Sequence, residues 1–279
     1  MWGVAYGLRV RAPWPLPELG RAGGCADVVV RVTRRPMQHH DGDVRVSWPR
    51  IGTFVVRGGA EIVVTAASGV SRGLLRLYLL GPVFAALLHQ RGYFLLHASA
   101  VSIGGRAVAL LGDSRAGKST TAAAFVQRGH GFLADDVVAL SPSADGAVAV
   151  LPAFPQLKLW PDSAEALGIG SNLPCVCPGV DKRAVRVRAR FVTQSQPIVC
   201  AYVLESGPSL AVEPLTAPAA LFSLMRHTYG VRTFYATRAR AHFSKCVAIA
   251  RRLSLRRLSA TPSLASVSDL VRAVEADLA

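Results

Sequence analysis

The chain has 279 residues, 51% of them apolar and 18% charged, which allows one large core or two modest ones and excludes disorder over most of its length. Its formal charge of +15 suggests an acidic partner such as a nucleotide, an acidic peptide or a nucleic acid. The five cysteines, Cys25, Cys175, Cys177, Cys200 and Cys246, have neither framework nor zinc spacing and read as reduced thiols of a cytoplasmic protein.

The opening stretch MWGVAYGLRVRAPWP lacks the charged-then-apolar layout of a secretion signal. Residues 12–19, APWPLPEL, carry three prolines and should be extended. Four short β-branched runs follow at residues 27–32, 43–48, 53–58 and 61–67, separated by Gly, Pro and Asp, which is the pattern of strands joined by turns. Residues 72–89 have apolar positions at helical spacing, with a kink expected at Gly81–Pro82. The longest apolar run, residues 77–88, is short of the roughly 20 residues that cross a bilayer, so no membrane is expected.

From Tyr93 the texture changes. YFLLHASAVSI reads as strand and turn, GGRAVALLG as a hairpin turn into a buried strand, KSTTAAAFVQR as a helix, and GFLADDVVAL as the next buried strand. This βαβ arrangement predicts a sheet with helices on its faces. Further strands are expected at residues 157–160, 185–191, 198–205 and 253–260, with helices at 163–167, 217–227, 238–253 and 263–278. The divisions are a β-rich unit over residues 1–73, for substrate docking, a bridging helix over 74–92, and an α/β catalytic domain over 93–279.

Gly112-Asp113-Ser114-Arg115-Ala116-Gly117-Lys118-Ser119 satisfies G-x-x-x-x-G-K-[ST] between an apolar strand and a helix, the context this phosphate-binding loop requires. Backbone amides of such a loop, through Thr120, converge on phosphate oxygens at the helix N-terminus. Lys118 supplies a charge for the β and γ oxygens and Ser119 a hydroxyl ligand for Mg²⁺. Arg115 either points to solvent or adds a cation near the γ-phosphate. One helix later, Asp135 and Asp136 end a strand beside the loop, where one acid can hold the metal and the other accept a proton from an incoming hydroxyl.

These residues, with LLHASAV around His97 and QRGHGFLADDV around the acid pair, resemble the catalytic domain of the HPr kinase/phosphorylase family. The resemblance implies a P-loop, HPr-kinase/carboxykinase-like α/β domain that uses ATP and Mg²⁺. It implies that His97, Lys118, Ser119, Asp135 and Asp136 serve transfer to a protein serine, with Asp136 as base and Asp135, beside Ser119, near the metal. It also implies a homo-oligomer, since HPr kinases form hexamers. The later acidic E-x-R-G-x-G segment of those enzymes is missing, and FPQLKLWPDSAEALGI and DKRAVRV stand there instead. In layout the chain is similar to shorter HPr-kinase-like proteins, some encoded with lasso peptide pathways, in which the kinase phosphorylates a serine of a precursor peptide.

Lys158, Lys182 and Arg183 lie in the replacing segment and are candidates for nucleotide phosphate or an acidic acceptor. Arg251, Arg252, Arg256 and Arg257 lack interleaved aromatics and a recognised module, which speaks against nucleic acid. His39, His40, His130, His227 and His242 read as structural. The expected activity is ATP-dependent transfer to a serine-type hydroxyl of a peptide or protein. The rivals are a small-molecule or carboxykinase-like phosphotransferase and a nucleotide-binding regulatory protein.

Overall fold

The computed structural model describes residues 1–35, 38, 40–142, 147–170, 172–234 and 239–279; His39 and Arg238 fall outside them. Strands β1 (Trp2–Ala5), β2 (Leu8–Arg11), β3 (Val28–Val32), β4 (Val44–Trp48), β5 (Gly52–Arg57) and β6 (Glu61–Ala66) make one sheet, ordered β1-β2-β3-β6-β5-β4. The last four follow the β-branched runs. The first two are only four residues each and carry a weaker signal, although LRVR alternates buried and exposed as a strand should.

Helix α1 (Arg72–Tyr78) is capped by Ser71, whose hydroxyl accepts from the Leu74 amide, and α2 (Phe84–Gln90) continues it after a π-turn at Leu79–Val83. Gly81 leaves helical geometry at φ −98° and ψ −106°, and Pro82 has no amide to donate, so the kink sits where the Gly-Pro pair predicts it. Taken whole, Arg72–Gln90 is long and apolar enough by length and composition alone to cross a membrane, a test that the core helix of a soluble protein also passes. Half of that stretch is buried in the protein, including Leu79, Leu80 and residues 83–88.

The second sheet comprises β7 (Phe94–Leu96), β8 (Ser99–Ile103), β9 (Arg106–Leu111), β10 (Gly131–Ala134), β11 (Val138–Pro142), β12 (Val148–Leu151), β16 (Gln196–Ser206), β17 (Ala211–Pro214) and β18 (Ser254–Ala260). Its main path runs β10-β8-β9-β16-β12-β11-β7, with β18 also on β16 and β17 beyond it. Three strands, β13 (Gln156–Leu159), β14 (Cys175–Cys177) and β15 (Val180–Arg186), form a small third sheet. The strand expected over residues 185–191 ends at Arg186 and gives way to a 3-10 turn at Arg188–Arg190. The helices are α3 (Lys118–Gln127), α4 (Pro161–Ala166), α5 (Ala217–His227), α6 (Val231–Phe234), α7 (Ala239–Ala250) and α8 (Val267–Leu278).

Central strand β9 shows why this sheet is covered on both faces. Val108 and Leu110 join Phe125 of α3 and Val271 of α8 in one core, while Ala107, Ala109 and Leu111 join a second core. That second core runs without a break through α1, α2 and the first sheet. Period-2 alternation with apolar residues on both faces is the sequence of a fully buried strand.

Candidate active site

The loop between β9 and α3 closes tightly because its glycines permit it. Gly112 has φ +147°, and a Cβ there would lie 2.9 Å from Ala116 Cβ and 3.1 Å from the Leu204 carbonyl oxygen. Gly117 caps α3 in the left-handed region at φ +90°, and Arg115 takes φ +67°. Lys118 is 8% exposed and folds back on the loop, donating to the carbonyls of Gly112 (2.8 Å) and Asp113 (2.9 Å). Burial pushes its ammonium below the ordinary lysine range, with Asp135 and Asp136 pulling the other way.

The acids do not lie on the strand next to β9, as the sequence suggests, because β8 is inserted between β9 and β10. GFLADDVVAL is likewise two strands: β10 has a register break between Phe132 and Ala134, and Asp136 turns at φ +68° before β11 begins. Asp tolerates that conformation better than most residues. The break sets the two carboxylates in different surroundings. Asp135 is buried, and its Oδ1 accepts from Ser119 Oγ and from Ser99 Oγ, both at 2.7 Å. Its Oδ2 accepts from the Lys158 amide at 3.1 Å. Burial and the neighbouring Asp136 charge raise its pKa, and Lys158 and the two hydroxyls oppose them.

Asp136 opens instead onto a cavity of about 680 Å³, within the range of cofactor-sized sites. Its carboxylate pairs with the Lys158 ammonium, and the two side chains are 26% and 10% exposed. Burial alone would raise Asp136, but Lys158 and Lys182 outweigh it and hold the acid below the usual carboxylate range. His97 lines the same cavity, its Nδ1 3.1 Å from the Asp136 carbonyl oxygen and its amide donating to the His227 carbonyl at 2.7 Å. Burial and Lys118 lower its pKa, so the neutral imidazole is favoured.

Ser114, Arg115, Gly117, Thr120, Lys158, Lys182 and Arg183 also line this cavity. Gly112, Asp113 and Ala116 face a second opening of about 410 Å³, where Arg226 of α5 clasps the Asp113 carboxylate at 2.5 and 3.1 Å. Arg115 does not simply face solvent: its guanidinium lies 5.1 Å from the Trp160 ring centroid. Trp160 and Arg226 join the site without any sequence pattern that marks them, and Ser99 joins it through its bond to Asp135. Ser99 had one available signal, its place two residues after His97 in the quoted block.

A nucleoside triphosphate with Mg²⁺ fits these residues. The Gly112 cradle is a space that a side chain would fill, and Ser119 and Asp135 offer paired oxygen donors suited to a hard cation. No group of three or more His, Cys, Asp or Glu side chains converges among the described residues.

Residues 91–152 match the family model of the HPr Serine kinase C-terminal domain. His97, the whole 112–120 loop, Asp135 and Asp136 lie inside the match, whereas Lys158, Lys182 and Arg183 lie outside it. Among solved structures, the HPr(Ser) kinase/phosphatase from Coxiella burnetii is similar at 13% identity and a TM-score of 0.36, over 66% of this chain and 97% of that one. No curated protein matches the chain. Residues 91–152 are thus similar to the HPr Serine kinase C-terminal domain, within a chain of mixed α/β fold.

Proposed function

We propose that this HPr-kinase-like chain is a cytoplasmic ATP-dependent kinase that passes the γ-phosphoryl group to a serine-type hydroxyl of a peptide or protein. The reading is carried by one arrangement: Ser119 of the phosphate loop bonds Asp135, while the adjacent Asp136 faces the cavity that the loop lines.

Bound MgATP would supply the transferable group and much of its counter-charge. The 112–120 loop would hold the phosphates, Lys118 would exchange its carbonyl partners for phosphate oxygens, and Ser119 with Asp135 would hold the metal. Asp136 would orient the acceptor hydroxyl and receive its proton. Lys158 and Lys182 make it a weak base, so aiming the nucleophile would outweigh early proton abstraction. His97 would hold the Asp136 backbone in its left-handed turn.

Labelled ATP, offered with a serine-bearing precursor-type peptide and with an HPr-like protein, tests the reading. Lys118→Ala should abolish transfer with the fold retained, and Asp136→Asn should bind ATP yet transfer at least about 100-fold more slowly. Wild-type transfer by Lys118→Ala would refute the site. A transfer defect confined to Asp135→Asn would exchange the roles of the two acids. The cations Lys158, Lys182 and Arg183 on the cavity favour a second reading, a small acidic metabolite as acceptor, which a metabolite panel read by ATP turnover separates from the first.

A further inference from the structure

Trp160 has no part in the chemistry above, yet it lines the main cavity. It follows β13 in extended geometry, φ −67° and ψ 153°, two residues after Lys158, so strand alternation sends both side chains to the same side. Two cations from separate elements rest on its ring: Arg115 of the phosphate loop at 5.1 Å and Lys182 of β15 at 5.5 Å. The first turn of α3 leads towards it. Ser119 turns to Asp135, and Thr120, about 100° further round the helix, donates instead to Ser163 Oγ of α4 at 3.1 Å. Helix α4 begins immediately after Trp160. Leu264, a large apolar side chain 40% exposed, lines the same space.

We propose that Trp160 is the stacking platform for the base of a nucleoside triphosphate whose phosphates lie in the 112–120 loop, with Leu264 adding apolar contact; this rests on the kinase reading above. An indole is the strongest aromatic partner for a cation and offers a broad face to a base. Arg115 and Lys182 rest against the ring. A triphosphate attracts both more strongly than a ring quadrupole does, so their turning towards it uncovers the indole for the base.

Calorimetric titration of the full chain with MgATP, and separately with inorganic tripolyphosphate, tests this. Trp160→Leu keeps an apolar side chain without a π face, and Trp160→Phe restores a π face. The leucine variant should bind MgATP about ten-fold more weakly or worse while binding tripolyphosphate as the wild type does, and the phenylalanine variant should recover most of the loss. Equal weakening towards both ligands would mean that Trp160 acts on the loop through Arg115 and would overturn the proposal. Unchanged MgATP affinity in Trp160→Leu would do the same and leave the kinase reading standing. Wild-type protein that binds neither ligand would remove the kinase reading, and the platform with it.

Discussion

Lys158 is the more deeply held half of its ion pair, 10% exposed against 26% for Asp136, and this asymmetry predicts an order of stabilities. Asp136→Asn leaves an ammonium buried without its counter-charge and should cost about 3 kcal/mol. Lys158→Met leaves a carboxylate that cavity water can reach and should cost less. Urea denaturation of the two variants checks the order, and equal losses would mean that the cavity hydrates Lys158 as well as it does Asp136. His227 makes a separate prediction. Burial holds its pKa at about 4, against 6.5 for a free histidine, despite the nearby Asp113. Between those values the unfolded chain binds a proton that the native imidazole refuses, so stability should fall as pH drops from 6.5 towards 4. Thermal melts over that window should show a shallower slope for His227→Gln. Asp27 and Glu275, both held at about 2 by arginine partners, give up their contributions as pH falls from the ordinary carboxylate range towards 2.

Two loops do most of the work at the scale of elements, and both depend on left-handed backbone. In the phosphate loop, Gly112→Ala would place a methyl 2.9 Å from Ala116 Cβ at φ +147°. A destabilisation of about 1–3 kcal/mol is expected, with weakened tripolyphosphate binding, measured by melting and calorimetry. Unaltered binding would mean that the loop relaxes around the methyl. After β10, the left-handed Asp136 separates the surroundings of two adjacent acids. Asparagine also tolerates that geometry, so Asp136→Asn tests charge rather than backbone. Local signals located the loop, the helix after it and the Gly81–Pro82 kink, because each follows from residues close in sequence. The split of GFLADDVVAL into β10 and β11 was hidden, since two short apolar runs joined by an acid pair do not show that the chain changes its strand partner between them.

Across the whole molecule, one apolar core extends from the first sheet through α1 and α2 to the second sheet. Tyr6, from the β1–β2 turn, donates its hydroxyl to the Val137 carbonyl at 3.0 Å, one residue beyond Asp136. The N-terminal strands therefore buttress the acid turn. This continuity predicts a single unfolding transition by fluorescence and circular dichroism. Two separated transitions would instead mark residues 1–73 as an independently folding unit.

The phosphate loop, its flanking strand and helix, and the acid pair were legible in the residues because a turn that wraps phosphates needs glycines, lysine and a hydroxyl at short, fixed spacing. Only the folded chain decided that Asp135 meets Ser99 and Ser119, that Asp136 meets Lys158, and that Arg115 rests on Trp160. Those partners lie up to 45 residues apart, and their meeting depends on β8 entering between β9 and β10 and on the third sheet bringing β13 against the acid turn. Spacing along a chain encodes local turns; long-range contacts depend on how the sheets pair, which no short motif specifies.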